Sequence, residues 1–185
     1  SQGFKNRIIN GAMVIDQRNA GASVTPASGA TYTLDRFIAY QEITSKFTVQ
    51  QNAGSVTPPV GFTNYLGVTS SSAYSATAIQ VFTLQQNIEG FNIADLGWGT
   101  ANAKTITVSF WARSTVTGTY SGNITNGGGN RSYIFTYALT ANTWNFLQVD
   151  PFNDIILRDS YYREDYPPLF RILTGGTYVG HRHAY

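Results

Sequence analysis

From residue 105 to 112 every second side chain is apolar: Ile106, Val108, Phe110 and Ala112 alternate with Thr105, Thr107, Ser109 and Trp111. Side chains of an extended chain point to opposite faces with a period of two, so this run predicts a strand with one face on a core. The alternation returns over 131–139, where Tyr133, Phe135, Tyr137 and Leu139 interleave with Ser132, Ile134, Thr136 and Ala138. That run follows the turn signal Asn126-Gly127-Gly128-Gly129-Asn130 and predicts the next strand of a meander. Shorter runs bounded by Gly, Pro, Asn or Ser predict strands over 8–16, 46–50, 62–68, 78–84 and 143–149. Two stretches rich in Ala, Ser, Thr and Gly, 20–33 and 70–77, read as surface loops. At least seven short strands, with no long amphipathic segments between them, predict an all-β fold. The expected form is an antiparallel β-sandwich or jelly roll with at most a turn or two of helix.

Composition agrees with the pattern. The 185 residues suit one domain with a self-sufficient core, and 22 Thr, 12 Tyr and 11 Phe favour strands while 18 Gly and 6 Pro punctuate them. A net charge of +2 gives no broad field of the kind that gathers polyanions, so nucleic acid is not an expected partner. Nine arginines stand against three lysines, a bias that suits interfacial forks to carboxylates and carbonyls. The absence of cysteine removes disulfides, thiolate metal sites and cysteine nucleophiles. No apolar run reaches the roughly 18 residues that a membrane-spanning helix needs, and the opening Ser1-Gln2-Gly3-Phe4-Lys5-Asn6-Arg7 lacks a signal-peptide pattern. Composition shifts near Asp150, which divides the chain into a sandwich domain, 1–150, and a C-terminal extended arm, 151–185. In the arm, Arg158, Arg163 and Arg171 mix with Tyr161, Tyr162, Tyr166 and Phe170, and Pro167-Pro168 stiffens it.

The opening Asn6-Arg7-Ile8-Ile9-Asn10-Gly11-Ala12-Met13-Val14-Ile15-Asp16-Gln17-Arg18-Asn19, then Tyr32-Thr33-Leu34-Asp35-Arg36-Phe37, resembles the start of a domain common in bacteriophage tail and appendage proteins. Later segments resemble its further signatures in the same order: Gln85-Gln86-Asn87-Ile88-Glu89-Gly90, Lys104 through Ala112, Asn130-Arg131-Ser132-Tyr133 and Ala141-Asn142-Thr143-Trp144. The resemblance covers residues 5–149. It implies a jelly roll similar to carbohydrate-binding modules, and a virion protein that acts by contact as a fibre, tail appendage or capsid-decorating subunit. Its implied partners are other virion proteins and host-surface glycan, while the Arg- and Tyr-rich arm predicts further copies of the chain, with a trimer favoured. After Asp150 the chain departs from the pattern, which leaves a strand edge for a neighbouring subunit to cover.

Candidate chemistry is sparse. Glu42 and Glu89 are the carboxylates to weigh as an acid and base pair for glycoside hydrolysis, but nothing marks them as one, and Glu89 reads better as the partner of an arginine. Asp16, Arg18, Asp35 and Arg36 suggest Arg–carboxylate forks that lock an N-terminal strand to the sheet. Trp98, Tyr65 and Tyr74 are candidate platforms for the C–H face of a sugar, while Trp111 and Trp144 read as structural. His181 and His183 would share one strand face and would meet across a threefold axis in a trimer, yet two such histidines are more often solvated. Asn123-Ile124-Thr125 and Asn130-Arg131-Ser132 fit the glycosylation pattern without a secretory signal to make it matter. No phosphate loop, nucleophile triad or metalloprotease helix is present. The expectation is a non-enzymatic protein without catalytic, metal or cofactor residues.

Overall fold

The computed structural model describes residues 6–77, 80–127, 132–152 and 169–172. Among the described residues ten strands follow in chain order: β1 (Gly29–Tyr32), β2 (Phe37–Gln41), β3 (Phe47–Gln51), β4 (Leu66–Ser70), β5 (Phe82–Asn87), β6 (Ile106–Ala112), β7 (Gly118–Thr125), β8 (Ser132–Leu139), β9 (Asn145–Phe152) and β10 (Leu169–Ile172). Helix is confined, among the described residues, to three single 3-10 turns. The fold is all-β with antiparallel pairing. Six strands form one sheet in the order β1-β2-β5-β10-β7-β8, and β3-β4 and β6-β9 form two-stranded ribbons.

The registers sort the sheet's residues onto two faces. Ala39 faces Leu84 across β2–β5, and Gly122 faces Phe135 across β7–β8. By the strand period, Phe37, Ala39, Leu84 and Gln86 share a side, and so do Tyr120, Ile124, Phe135, Tyr137 and Leu139. Both apolar clusters lie here. Ala39 and Leu84 pack with Val49 of β3 and with Phe47, Leu66 and Val68. Tyr120, Ile124, Phe135, Tyr137 and Leu139 pack with Val149 of β9 and with Ile106, Val108 and Phe110 of β6. The two ribbons therefore cover the sheet at its two ends, each buried aliphatic or aromatic side chain adding about 1.5–3 kcal/mol. Burial raises the Tyr137 phenol, and Tyr120 beside it adds to the effect, to a pKa of about 12. Gly122 is required by close approach, because a Cβ there would stand 2.5 Å from the Phe135 ring.

Between the clusters the cover is a length of irregular chain. The buried Gln86 accepts from the Ile9 amide at 2.9 Å and donates to the Ile9 carbonyl at 2.8 Å, as a neighbouring strand would. Asn10 closes a loop on Ile15 through its carboxamide, and Gln51 of β3 donates to the Met13 carbonyl at 2.6 Å. The strand expected over 8–16 is thus absent. Asn10 and Met13 have φ of 57° and 58°, and left-handed residues interrupt an extended chain. Side-chain amides supply the hydrogen bonds that a ladder would have supplied.

Other expectations held with shifted ends. β6 and β8 show the predicted alternation, with Phe135, Tyr137 and Leu139 buried and Ile134, Thr136 and Ala138 exposed. β3 and β9 match within two or three residues, whereas β4 and β5 begin four residues later than expected. The 20–33 loop in fact holds β1 and a bridge from Val24 to Val49. β2, β7 and β10 were not foreseen. β10 falls within 151–185 and pairs with both β5 and β7, so at this place the chain itself covers the edge left for a neighbouring subunit.

Candidate functional site

On the other face of the sheet, β1, β2 and β5 build a groove. Register sets Tyr32 opposite Ile38, Ala30 opposite Tyr40, and Ile38 opposite Gln85, so these side chains emerge together. With Val81 and Asn87 they line a half-open concavity of about 520 Å³. Ile38 is buried as its floor, while Tyr32 at the rim is 53% exposed. Two tyrosines offer ring surface and hydroxyls, and Gln85 and Asn87 offer carboxamides that both donate and accept. The Asn87 carboxamide oxygen is buried without a partner, as are Thr83 Oγ1 and Asn123 Oδ1 on the same face. A buried acceptor left unpaired costs about 1–3 kcal/mol. No carboxylate lines the groove.

The hairpin that presents Tyr32 and Tyr40 is closed by Leu34-Asp35-Arg36. Arg36 takes the left-handed position of a three-residue loop with φ of 76°, a place usually given to glycine. The arginine is held there by its contacts. Its Nη2 lies 2.6 Å from Glu89 Oε1 and also donates to the Asn87 carbonyl at 3.2 Å. The Arg36 hydrogen bond holds the Glu89 carboxyl below its ordinary value of 4.5 against the opposing effect of burial, and Asn92 adds a further donor. Glu89 is therefore an arginine's partner, as expected. Glu42 follows β2 at its far end, opposite Val81, roughly 25 Å away at about 3.3 Å per residue. Paired glycosidase carboxyls stand about 5–9.5 Å apart, so these two do not form such a pair.

Of the four expected fork residues, Arg36 does pair with a carboxylate, that of Glu89, and the other three behave otherwise. Asp16 accepts from the Asn19 and Gly21 amides at 3.2 and 2.7 Å, and Asp35 accepts from the Gln17 amide at 2.6 Å. Both carboxylates bind backbone in place of arginine. Arg18 instead lays its guanidinium over the Tyr32 ring, 4.9 Å from the centroid, at the rim of the groove. Arg7 pairs with Asp95 at 2.6 Å.

Of the aromatic platforms, two are structural. Trp98 packs against the larger core cluster and donates to the Lys104 carbonyl at 2.9 Å. The Tyr65 hydroxyl donates to the Ala53 carbonyl and accepts from the Val56 amide, and its ring meets Trp144 edge-on at 5.6 Å. Trp144 in turn donates to the Thr57 carbonyl at 2.8 Å. Tyr74 stays half exposed, with Lys46 4.6 Å over its ring. Trp111, expected to be structural, pairs with Phe146 at 5.4 Å on the outer side of the β6–β9 ribbon, and both are exposed. His181, His183 and Asn130 lie outside the described residues. Among the described residues no three His, Asp or Glu side chains group as metal ligands, and no helix is long and apolar enough to cross a membrane.

Sequence reasoning missed Tyr32 and Tyr40 as site residues. The signal was there in part: two tyrosines eight apart around an Asp35-Arg36 turn. The chain matches no family model, no curated protein and no solved structure.

Proposed function

We propose that this chain is a non-enzymatic contact protein of a bacteriophage particle, a fibre, appendage or capsid-decorating subunit, and that the groove on its six-stranded sheet recognises glycan. The observation that carries the glycan reading is the groove itself: two tyrosines and two carboxamides converge on one sheet face without a carboxylate among them. Sugar rings present apolar C–H faces with hydroxyls at their rims, so they call for aromatic surface beside groups that donate and accept. The placement on the virion rests on the ordered resemblance of residues 5–149. In this reading the two ribbons and the sheet make a β-sandwich of the jelly-roll type.

The test is a glycan array probed with the wild-type chain, Tyr40→Ala and Phe146→Ala. Binding that falls at least tenfold in Tyr40→Ala and persists in Phe146→Ala supports the groove, with no new reducing ends released from the bound saccharide. Silence across the array, or binding indifferent to Tyr40→Ala, defeats it. Gold-labelled antibody on intact particles tests the location, and labelled appendages or capsids are the expected result. Residues 151–185 are proposed to contribute contacts between subunits. Light scattering of the intact chain then gives a closed oligomer, a trimer by preference, because cyclic symmetry buries such contacts equally in every copy.

A further inference from the structure

We infer that the groove takes an acidic saccharide and that Arg18 reads its carboxylate. This rests on the groove being the glycan site, and it adds the charge of the ligand. Three observations point the same way. Arg18 is exposed and its guanidinium is seated on the Tyr32 ring that forms the rim. Among the described residues it has no carboxylate partner, although Asp16 lies two residues before it and Asp35 is bound to the neighbouring Gln17 amide. The lining itself, Ala30, Tyr32, Ile38, Tyr40, Val81, Gln85 and Asn87, carries no negative charge to repel an anion.

Stacking on an aromatic face leaves the edge of a guanidinium free, with N–H groups still aimed outward in the plane. A planar carboxylate fits that edge in a two-pronged hydrogen bond, a geometry an ammonium group cannot copy. A neutral sugar would leave the cation unanswered. The effect is local, in keeping with the net charge of +2, which excludes a general attraction for polyanions. A saccharide bearing a uronic acid would set its ring against Tyr32 and Tyr40, its hydroxyls toward Gln85 and Asn87, and its carboxylate toward Arg18.

The test uses the intact chain and a panel of uronic-acid-containing oligosaccharides, each paired with its carboxyl-reduced form, by calorimetric titration at low and moderate salt. The expected result is an acidic member that binds about 10- to 100-fold more tightly than its reduced form, with the advantage shrinking as salt rises. In Arg18→Gln the ratio of the two affinities falls toward one, and Arg18→Lys restores only part of it. Equal affinity for both forms, unchanged in Arg18→Gln, overturns the inference while leaving the groove as a neutral-glycan site. Failure of every saccharide to bind, or binding that Tyr40→Ala does not weaken, overturns the glycan reading and the inference together.

Discussion

The two faces of the six-stranded sheet are built from alternate residues of the same strands, and they are used in opposite ways. On one, Ala39, Leu84, Ile124, Phe135 and Tyr137 are buried under the β3–β4 and β6–β9 ribbons. On the other, the same β2 and β5 that supply Ala39 and Leu84 present Tyr40, Gln85 and Asn87 to a groove. On the covered face the Gln86 carboxamide is paired twice with Ile9, whereas Gln41, fully buried on that same face, donates to the Pro26 carbonyl and keeps a buried oxygen without a partner. The groove face leaves Thr83, Asn87 and Asn123 each with a buried oxygen lacking a partner. Unpaired buried oxygens thus occur on both faces, and what sets the second face apart is the open concavity that tyrosine and carboxamide side chains line.

The comparison breaks most readily on the covered face. Phe135→Ala removes a ring that meets Phe110 and Tyr137, and urea unfolding should show a loss of about 3–5 kcal/mol. Gly122→Ala drives a methyl group toward that same ring, which is buried against Phe110 and Tyr137 and has little room to yield, and should lose about 1–3 kcal/mol by the same measurement. Gln86→Leu keeps the volume but strands the Ile9 amide and carbonyl, for a loss of about 1–3 kcal/mol and faster hydrogen exchange at Ile9. At the hairpin that carries the groove the effect is smaller. Glu89 is held deprotonated by Arg36, so its stabilisation is present at neutral pH and fades as pH falls below 4.5. With both side chains a third or more exposed, Glu89→Gln should remove less than about 1 kcal/mol and flatten that part of the acid unfolding curve. Tyr32→Ala, on the groove rim, should change stability least, by under about 1 kcal/mol, while saccharide affinity drops.

What could be read in the sequence follows the same division. β6 and β8 were legible because one face is covered and the other open, which writes a period of two into Ile106–Ala112 and Ser132–Leu139. β2 was not, because Phe37, Ile38 and Ala39 are consecutive and all buried, so no alternation appears. β7 hides behind glycine and hydroxyl residues, and β10 owes its place to β5 and β7, which lie far away in sequence. The opposite error occurred at 8–16. Apolar pairs there imitate a strand, but Asn10 and Met13 turn left-handed and the carboxamides of Gln86, Gln51 and Asn10 hold the segment. The Glu89–Arg pairing was foreseen in kind. The groove was not, since its residues come from three strands between Ala30 and Asn87 and converge only once register is known.

The most direct test of the central claim is to map a bound acidic oligosaccharide by amide chemical-shift changes on the labelled chain. Shifts concentrated at Ala30, Tyr32, Tyr40, Gln85 and Asn87, with Arg18 moving alongside, are the predicted result. Shifts centred on Trp111 and Phe146 would contradict it, because recognition would then lie on the outer ribbon and not in the groove.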